Sequence, residues 1–384
     1  MTMWRVIPAE VVAAARRAWA VQRGERPGPT VVSFLVTSRC VLRCQHCFYH
    51  YARPSPEPEL TLDEYDALSR GLGRFAVALF CGGEPYLRSD LGDIVRLVRR
   101  RNGAPLSSAT TNGQLPSSVV RQTEAIVRDD PAKPFQLGVS IDGPPEIHDA
   151  IRGPGAFALA MQSWRECLAL RRHYPNLQLA VTTVVSTLNQ QVVAAFVRWA
   201  RRELRPDAQV LLLARQHPRA GEGIKAVDVR RYREAQAEAL RGMRSGGWLG
   251  RWRPDVAYLE TVAWHVAQTH ETGRRSFRCW AGVHGVVIDP VGRVHACEAL
   301  AEDPDVPPLG SLREGGLSFD ALWRGPACER VLGCVGRHSA CRGCTHETMG
   351  HAASLIFPPN WLRRRHGAPA PLPSDRPRVP RGGP

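Results

Sequence analysis

Lysine is nearly absent from this 384-residue chain, and long apolar segments are missing altogether. Only Lys133 and Lys225 occur among 51 basic residues, so arginine carries almost all of the positive charge. No run of about 18 apolar residues exists, which excludes a transmembrane helix of ordinary length. The first residues also lack the apolar core and small-residue cleavage site of a secretory signal. We therefore expect a cytoplasmic protein whose thiols stay reduced.

The net charge of +15 raises the question of nucleic-acid binding. The arginine excess is accompanied by 31 prolines and 34 glycines, a combination that indicates genomic codon bias rather than a binding surface. The sequence has no RNA-binding signature and no basic helix interleaved with aromatic residues. We therefore expect neither a nucleic-acid partner nor a membrane.

Eleven cysteines, in a chain expected to be reduced, are the most informative feature of the composition. Three of them lie close together near the start, and six lie between residues 279 and 344. In the cytoplasm such clustering favours metal binding or catalysis over disulfides. The eleven are Cys40, Cys44, Cys47, Cys81, Cys167, Cys279, Cys297, Cys328, Cys334, Cys341 and Cys344.

Short apolar, β-branched segments alternate with helical segments from residue 30 to residue 215, which predicts repeated βα units and a parallel sheet. Six units are too few for a full eight-stranded barrel. We therefore expect an α/β fold, a partial (β/α)6 TIM-like barrel. The predicted strands are 31–36, 75–80, 105–110, 136–141, 178–185 and 209–214. The predicted helices include 90–101, 116–128, 156–172 and 190–203, and a capping box of Thr61 and Glu64 opens another.

The composition and predicted secondary structure of the other segments set the predicted domain boundaries. Residues 225–270 are mainly helical with a Gly-Gly break at 246–247, and short strands, turns and cysteines follow, with a hairpin around 288–294. From Pro358 onward Pro, Arg and Gly dominate, which predicts disorder. The predicted divisions are an N-terminal segment 1–29 with a helix over 8–22, the barrel 30–215, a helical linker 216–276, a small cysteine-rich C-terminal domain 277–357 and a basic tail 358–384.

Cys40, Cys44 and Cys47 directly follow the first predicted strand, at spacings that let three thiolates from one loop converge on a metal centre. Three cysteines are one ligand short of a closed tetrahedral zinc site, and an iron–sulfur cluster normally takes four. Three ligands in one loop favour a 4Fe–4S cluster with one iron left open for a small molecule. A zinc site is the alternative. Parallel barrels place their active sites at this end of the strands.

This C-x3-C-x2-C loop, with His46 before its last cysteine and Phe48 after it, resembles the radical S-adenosylmethionine (SAM) enzymes. Further motifs of that family follow in order: Gly-Gly-Glu-Pro after the second strand, Thr-Thr-Asn-Gly after the third and Ser-Ile-Asp-Gly after the fourth. Glu84 can accept a charge-assisted hydrogen bond from an ammonium. The resemblance implies that Glu84 holds the amino group of SAM, and that Ser140 and Arg152 hold its ribose and carboxylate. The implied SAM-binding residues are Phe48, Gly82, Gly83, Glu84, Asn112, Ser140, Arg152 and Asn189.

The second group of cysteines contains a C-x2-C pair and two cysteines around the predicted hairpin. Four thiolates suffice for a complete second cluster, and the pattern resembles the twitch or SPASM C-terminal extensions of radical SAM enzymes. A full SPASM domain has two auxiliary clusters and seven cysteines, whereas this segment has six. We expect one auxiliary iron–sulfur cluster, with a structural zinc as the alternative. Its ligands are predicted to be Cys279, Cys297, Cys341 and Cys344, with Cys328 and Cys334 as further candidates and Cys167 a core residue.

The resemblance implies reductive cleavage of SAM to a 5′-deoxyadenosyl radical, which removes a hydrogen atom from a substrate. The electron would come from a partner such as flavodoxin or ferredoxin. The single-cluster pattern is similar to that of the radical SAM aminocyclitol alcohol dehydrogenase, which favours oxidation or rearrangement of a small polyol, sugar or aminocyclitol. Modification of a ribosomally made peptide or a protein side chain is the alternative, weakened because residues 1–29 leave no room for a leader-binding domain. A non-catalytic iron–sulfur or zinc scaffold is the third hypothesis.

Glu298 is the predicted catalytic residue. It directly follows Cys297, the place where a related sulfatase-maturing enzyme carries its acidic proton acceptor. Oxidation of an alcohol radical to a carbonyl needs such a base. A solvated loop carboxylate is the alternative, and His284 and His295, which flank the same hairpin, are alternative bases.

Overall fold

The computed structural model describes residues 27–49, 56–243, 254–276, 279–301 and 305–346, together with residues 20, 23, 25 and 303. Three predictions lie outside the described residues. They are the helix over 8–22 apart from residue 20, the Gly-Gly break at 246–247, and the tail 358–384.

Six parallel strands, each followed by at least one helix, form the first part of the fold. The strands pair in chain order and are β1 (Val31–Thr37), β2 (Val77–Gly82), β3 (Leu106–Thr111), β4 (Phe135–Ser140), β5 (Leu177–Val185) and β6 (Ala208–Leu213). The helices are α1 (Leu62–Leu72), α2 (Leu91–Asn102), α3 (Pro116–Asp129), α4 (Pro145–Arg152), α5 (Ala156–His173) and α6 (Val193–Glu203). The predicted (β/α)6 architecture is confirmed, and every predicted strand matches an observed one within about two residues.

Local sequence signals explain where these elements begin and how they pack. The capping box at α1 is present, because Thr61 Oγ1 accepts from the Glu64 backbone amide while the Glu64 carboxylate accepts from the Thr61 amide. Inside the sheet, Phe34 of β1 stacks on Phe80 of β2 with ring centroids 5.2 Å apart. Each such buried side chain stabilises the fold by roughly 1.5–3 kcal/mol relative to exposure.

Three further strands continue the same sheet beyond β1. They are β7 (Gly285–Ile288), β8 (Arg293–His295) and β9 (Gly310–Ser311). The hairpin of β7 and β8 confirms the prediction for residues 288–294, but β7 also pairs in parallel with β1. The cysteine-rich segment is therefore built onto the edge of the barrel sheet, a placement that the sequence pattern did not predict.

The remaining helices lie in two regions. They are α7 (Val229–Met243), α8 (Pro254–Thr272), α9 (Glu298–Ala301), α10 (Phe319–Arg324), α11 (Pro326–Cys334) and α12 (Ser339–Arg342), with 3-10 turns at Pro85–Leu87 and Glu222–Lys225. Helix α7 packs against β6, α6 and α8, whereas α9 to α12 belong to the extension. Long-range contacts fix the extension to the first part of the chain. Trp323 is buried and its indole N–H donates to the Pro27 carbonyl over 3.1 Å. Arg313 pairs with Glu64 at the start of α1 over 2.7 Å.

Candidate functional site

The first cysteine site consists of Cys40, Cys44 and Cys47, in the loop that leaves β1. Cys40 is exposed, Cys44 is buried and Cys47 is half-buried. Burial raises the pKa of all three thiols, that of Cys44 to about 11, and the other two sulfurs raise the pKa of Cys44 further. The structure thus brings the three predicted ligands together in one partly buried loop.

The carboxyl-terminal end of α4 supports this loop. The Gln45 backbone amide donates to the Ile151 carbonyl over 2.9 Å, and the Gln45 side chain donates to the Ala150 carbonyl over 2.7 Å. Nη1 of Arg152 lies 3.9 Å from the sulfur of Cys44. The helix end therefore fixes the middle of the loop through both backbone and side-chain contacts.

A buried ion pair holds Arg152 in this position. Its Nε lies 2.6 Å from Oδ2 of Asp142, whose other oxygen accepts from the Val184 amide over 2.9 Å. The imidazole Nδ1 of His46 lies 3.7 Å from the same carboxylate. Burial opposes ionisation of Asp142, but the neighbouring guanidinium keeps its pKa below the usual range. Arg152 is thus committed to Asp142 and Cys44, and its contact with the SAM carboxylate stays a prediction.

Gly82 and Gly83 allow the end of β2 to approach the cysteine loop. A Cβ on Gly83 would lie 2.1 Å from the Arg39 carbonyl oxygen, and one on Gly82 would lie 2.4 Å from the Thr37 carbonyl oxygen. The Gly83 and Glu84 amides donate to these two carbonyls, each over 2.8 Å. The resemblance implies that both glycines contact SAM. The structure shows close approach to the backbone just before Cys40, and SAM binding by the glycines stays a prediction.

Glu84 joins the ends of β2 and β3. Its buried carboxylate accepts from Thr111 Oγ1 over 2.9 Å, from the Asn112 amide over 2.7 Å and from the Tyr86 amide over 3.1 Å. Burial raises its pKa to about 7. The side chain of Asn112 in turn donates to the sulfur of Cys40 over 3.6 Å. The Glu84 contacts thus place Asn112 against the first cysteine.

Ser140 and Asn189, two of the remaining predicted SAM contacts, have different environments. Ser140 ends β4, is half-buried, and its hydroxyl has no hydrogen-bond partner among the described residues. The amide nitrogen of Asn189 donates to the carbonyls of Asp142 and Val184, both over 2.9 Å, and its oxygen accepts from the Ser186 amide. Ser140 is available to a ligand, whereas Asn189 ties the ends of β4 and β5 together.

The second cysteine site consists of Cys279, Cys297, Cys341 and Cys344, which come from three separate parts of the chain. Cys279 precedes β7, Cys297 precedes α9, and the C-x2-C pair lies at α12. Burial raises the pKa of Cys279 to about 11 and that of Cys297 well above its usual value, and in each case Cys341 and Cys344 raise it further. The four predicted ligands are therefore neighbours in the folded chain.

Cys328 and Cys334 are not among the main influences on the pKa of Cys279 and Cys297. Cys328 is buried within α11, while Cys334 is exposed at the end of that helix. Cys167 is fully buried in α5 and packs in the hydrophobic core, as predicted. The four-cysteine set stays the prediction, with Cys328 and Cys334 as the further candidates.

Glu298 lies between two cationic partners. Its Oε2 is 3.1 Å from Nη2 of Arg215 and 3.1 Å from Nε2 of His346. Burial opposes ionisation, but these two neighbours lower the pKa of Glu298 to about 2. The Arg215 guanidinium also lies over the Phe48 ring, 5.3 Å from its centroid. Such a carboxylate is a weak base at neutral pH, so its role as proton acceptor stays a prediction.

The two histidines considered as alternatives to Glu298 are both buried near the hairpin. His295 lies 3.3 Å from Oδ2 of Asp289. His284 meets the Trp280 ring edge-on, with ring centroids 5.1 Å apart. Sequence reasoning missed Arg215 and His346, because neither belongs to a motif and only the fold brings them to Glu298.

The donor sets suit iron–sulfur clusters, whose usual ligands are cysteine thiolates. Across the described ranges, no three His, Cys, Asp or Glu side chains meet closely enough to share a single metal ion. Comparison with known protein families identifies the domain that carries the first cysteine site. Residues 34–199 match the family model of the Radical SAM superfamily. The chain carries a radical SAM domain. This family uses a 4Fe–4S cluster and SAM, so both predicted cofactors are confirmed for the radical SAM domain.

Two relatives outline how far the similarity extends. Fe-coproporphyrin III synthase of Methanosarcina barkeri is 34% identical over 140 residues, which cover 36% of this chain and 33% of that protein. Mycofactocin maturase of Mycobacterium ulcerans is 27% identical over 364 residues, which cover 89% of this chain and 90% of that protein. The first match spans about a third of the relative, whereas the second includes most of both chains.

Solved structures share the fold of most of this chain. Native anSMEcpe with bound AdoMet and Kp18Cys peptide has a TM-score of 0.56 at 16% identity, covering 89% of this chain and all of that one. SuiB of Streptococcus suis bound to precursor peptide SuiA has a TM-score of 0.55 at 13% identity, covering 84% and 71%. These identities establish a shared fold only. Among the described helices, none has the length and apolar character needed to cross a membrane.

Proposed function

We propose that this protein is a radical SAM peptide maturase, which acts on a side chain of a ribosomally made peptide or of a protein. The observation that carries the proposal is the match of 89% of the chain to a mycofactocin maturase. The solved structures of similar fold include complexes with peptides. The cysteine pattern favoured a small polyol, sugar or aminocyclitol as the substrate, whereas the comparisons support the peptide alternative better.

The residues of the radical SAM domain supply the cofactor environment in this proposal. Cys40, Cys44 and Cys47 hold a 4Fe–4S cluster, and Asn112 and Arg152 place N–H groups beside two of the sulfurs. When bound, the cluster and SAM supply a 5′-deoxyadenosyl radical that removes a hydrogen atom from substrate. The protein holds the reactants in position and excludes water from them.

The second cysteine site holds an auxiliary iron–sulfur cluster in this proposal. The support is that four thiols from three segments converge, two of them buried and two half-buried. A reducing partner of the flavodoxin or ferredoxin type supplies electrons. We also place the protein in the reducing cytoplasm, where eleven cysteines with no disulfide among them stay reduced.

The first experiment uses anaerobically purified protein reconstituted with iron and sulfide, incubated with SAM and dithionite. We expect 5′-deoxyadenosine from the native chain and none from the Cys40/Cys44/Cys47→Ala variant. The variant should retain about four irons if the second site takes a 4Fe–4S cluster. Well-loaded native protein that forms no 5′-deoxyadenosine, with or without the probes below, would favour the non-catalytic scaffold.

The substrate class is tested with two sets of probes at equal concentration. One set contains synthetic peptides translated from short reading frames beside the gene, and the other contains polyols and aminocyclitols. We expect a peptide to increase the rate of 5′-deoxyadenosine formation and to undergo a SAM-dependent mass change. Stimulation by a polyol alone, with no modified peptide, would return the small-molecule hypothesis to first place.

A further inference from the structure

One arginine contacts the segments that carry both cysteine sites. Arg215 lies just after β6, and its guanidinium covers the Phe48 ring at 5.3 Å from the centroid. The same guanidinium lies 3.1 Å from the Glu298 carboxylate. Phe48 directly follows Cys47, the last ligand of the first site, and Glu298 directly follows Cys297 of the second. Arg215 therefore bridges the two cysteine sites through their neighbouring residues.

His346 extends this contact to the C-x2-C pair. Its Nε2 lies 3.1 Å from the Glu298 carboxylate, and it follows Cys344 by two positions. The side chains of Arg215 and Glu298 are only 14% and 13% exposed, so their charges are poorly screened by solvent. Arg215 thus contacts the residue next to Cys297, and the same carboxylate contacts the residue two positions after Cys344.

We propose that Arg215 is a positioning residue that joins the two cysteine sites and, together with Glu298, sets the reduction potential of the cluster at the second site. This inference rests on the proposed auxiliary cluster. Reduction adds one negative charge to a cluster, so a nearby guanidinium favours the reduced state and a nearby carboxylate favours the oxidised state. In the native chain the two charges lie 3.1 Å apart and largely offset each other.

The test measures the midpoint potential of the second cluster in the full-length Cys40/Cys44/Cys47→Ala chain, so that no signal comes from the first site. Reconstituted protein is poised at a series of potentials with mediators, and the reduced fraction is followed by electron paramagnetic resonance. Arg215→Met should shift the midpoint to a more negative value, and Glu298→Gln should shift it to a less negative one. The double variant should have a midpoint close to that of the parent chain. Arg215→Lys keeps the positive charge, so its midpoint should also stay close to that of the parent.

Opposite shifts that cancel are the signature of charge, because a packing defect would not change sign between the two variants. Arg324→Met removes an exposed ion pair of the same region, with Asp320 at 2.9 Å, and should leave the midpoint unchanged. If the variants retain iron but the midpoint does not shift, or shifts in the same direction in both, the proposed role of Arg215 is overturned. The proposed auxiliary cluster would then still stand. A parent chain that binds no iron would instead refute the proposed auxiliary cluster and this inference with it.

Discussion

The two cysteine sites are built by different means. The first takes all three thiols from one loop, and the ends of β2, β3 and α4 each make hydrogen bonds to that loop or to the residues just before it. The second assembles four thiols from three parts of the chain: Cys279 and Cys297 flank the β7–β8 hairpin, and the C-x2-C pair lies at α12. A site carried by one loop has a signature in the spacing of its residues, whereas an assembled site depends on the pairing of distant segments.

The largest expected effect on stability comes from the buried Asp142–Arg152 ion pair beside the first cysteine loop. Asp142→Asn would remove the charged partner of Arg152, which lies 2.6 Å away with both side chains buried. An unpaired buried charge costs about 3–5 kcal/mol. We expect a loss of that size in the free energy of unfolding, measured by urea denaturation. Iron at the first site should fall while iron at the second site is retained.

The matched control for Asp142 is Asp320→Asn, which removes the exposed pair with Arg324, whose side chains are 64% and 59% exposed. Exposed pairs contribute about 0–1 kcal/mol. If both variants lost the same small amount of stability, the buried pair would not be what supports the loop.

Gly83→Ala should cost less stability than Asp142→Asn. Its effect on iron binding should again be confined to the first site. The new Cβ would lie 2.1 Å from the Arg39 carbonyl oxygen, which as backbone has little freedom to move. Overpacking of this kind costs about 1–3 kcal/mol. Displacing the residues before Cys40 should also lower iron binding at the first site, measured as iron per chain in a Cys279→Ala background.

Gly223→Ala is the control for this substitution, since a Cβ there meets no atom within 4 Å. Its iron content should equal that of the parent chain. If Gly83→Ala also bound iron normally, the close approach of β2 to the cysteine loop would be unnecessary for the site.

The sequence predicted the barrel because its signals are local. Most of the strands from β1 to β6 are short segments rich in apolar and β-branched residues, as burial on both sides of a parallel sheet favours, although β3 (Leu106–Thr111) is largely serine and threonine. The first cysteine loop and the Gly-Gly-Glu-Pro motif were found for the same reason, because their residues are adjacent in the sequence. The structure adds what these glycines contact, namely the backbone of Thr37 and Arg39.

The missed features are nonlocal. Gly285–Ile288 has the composition of a strand, but nothing in it specifies β1, more than two hundred residues earlier, as its parallel partner. Arg215 and His346 are single residues outside any motif, and only the folded chain brings them to Glu298. Because an ion pair between distant residues leaves no spacing signal, the neighbours that lower the pKa of Glu298 were not predictable.

The attachment of the C-terminal strands to the barrel gives a third, pH-dependent prediction. Arg313, just after β9, pairs with Glu64, and its hydrogen bond lowers the pKa of that carboxyl to about 2. Glu64→Gln should cost about 1 kcal/mol near neutral pH, because a glutamine can still accept from the Thr61 amide while the ion pair is lost.

The sign of the pH effect follows from the lowered pKa of Glu64. The unfolded chain takes up a proton near the usual value of 4.5, whereas the folded chain does so only near 2. The contribution of Glu64 is therefore fully present above 4.5 and is lost as the pH falls towards 2. Urea denaturation at several pH values should show the difference between parent and Glu64→Gln shrinking below pH 4.5. A constant difference would mean that packing, not charge, is responsible.

The smallest effect is expected at the cysteine that the assembled site leaves out. Cys334 is exposed at the end of α11, so Cys334→Ser should change the free energy of unfolding by less than about 0.5 kcal/mol. It should also leave the iron content of the Cys40/Cys44/Cys47→Ala chain unchanged, whereas Cys344→Ser should lower it. If Cys334→Ser released iron as well, the second site would draw a ligand from α11, and the four-cysteine set would have to be enlarged.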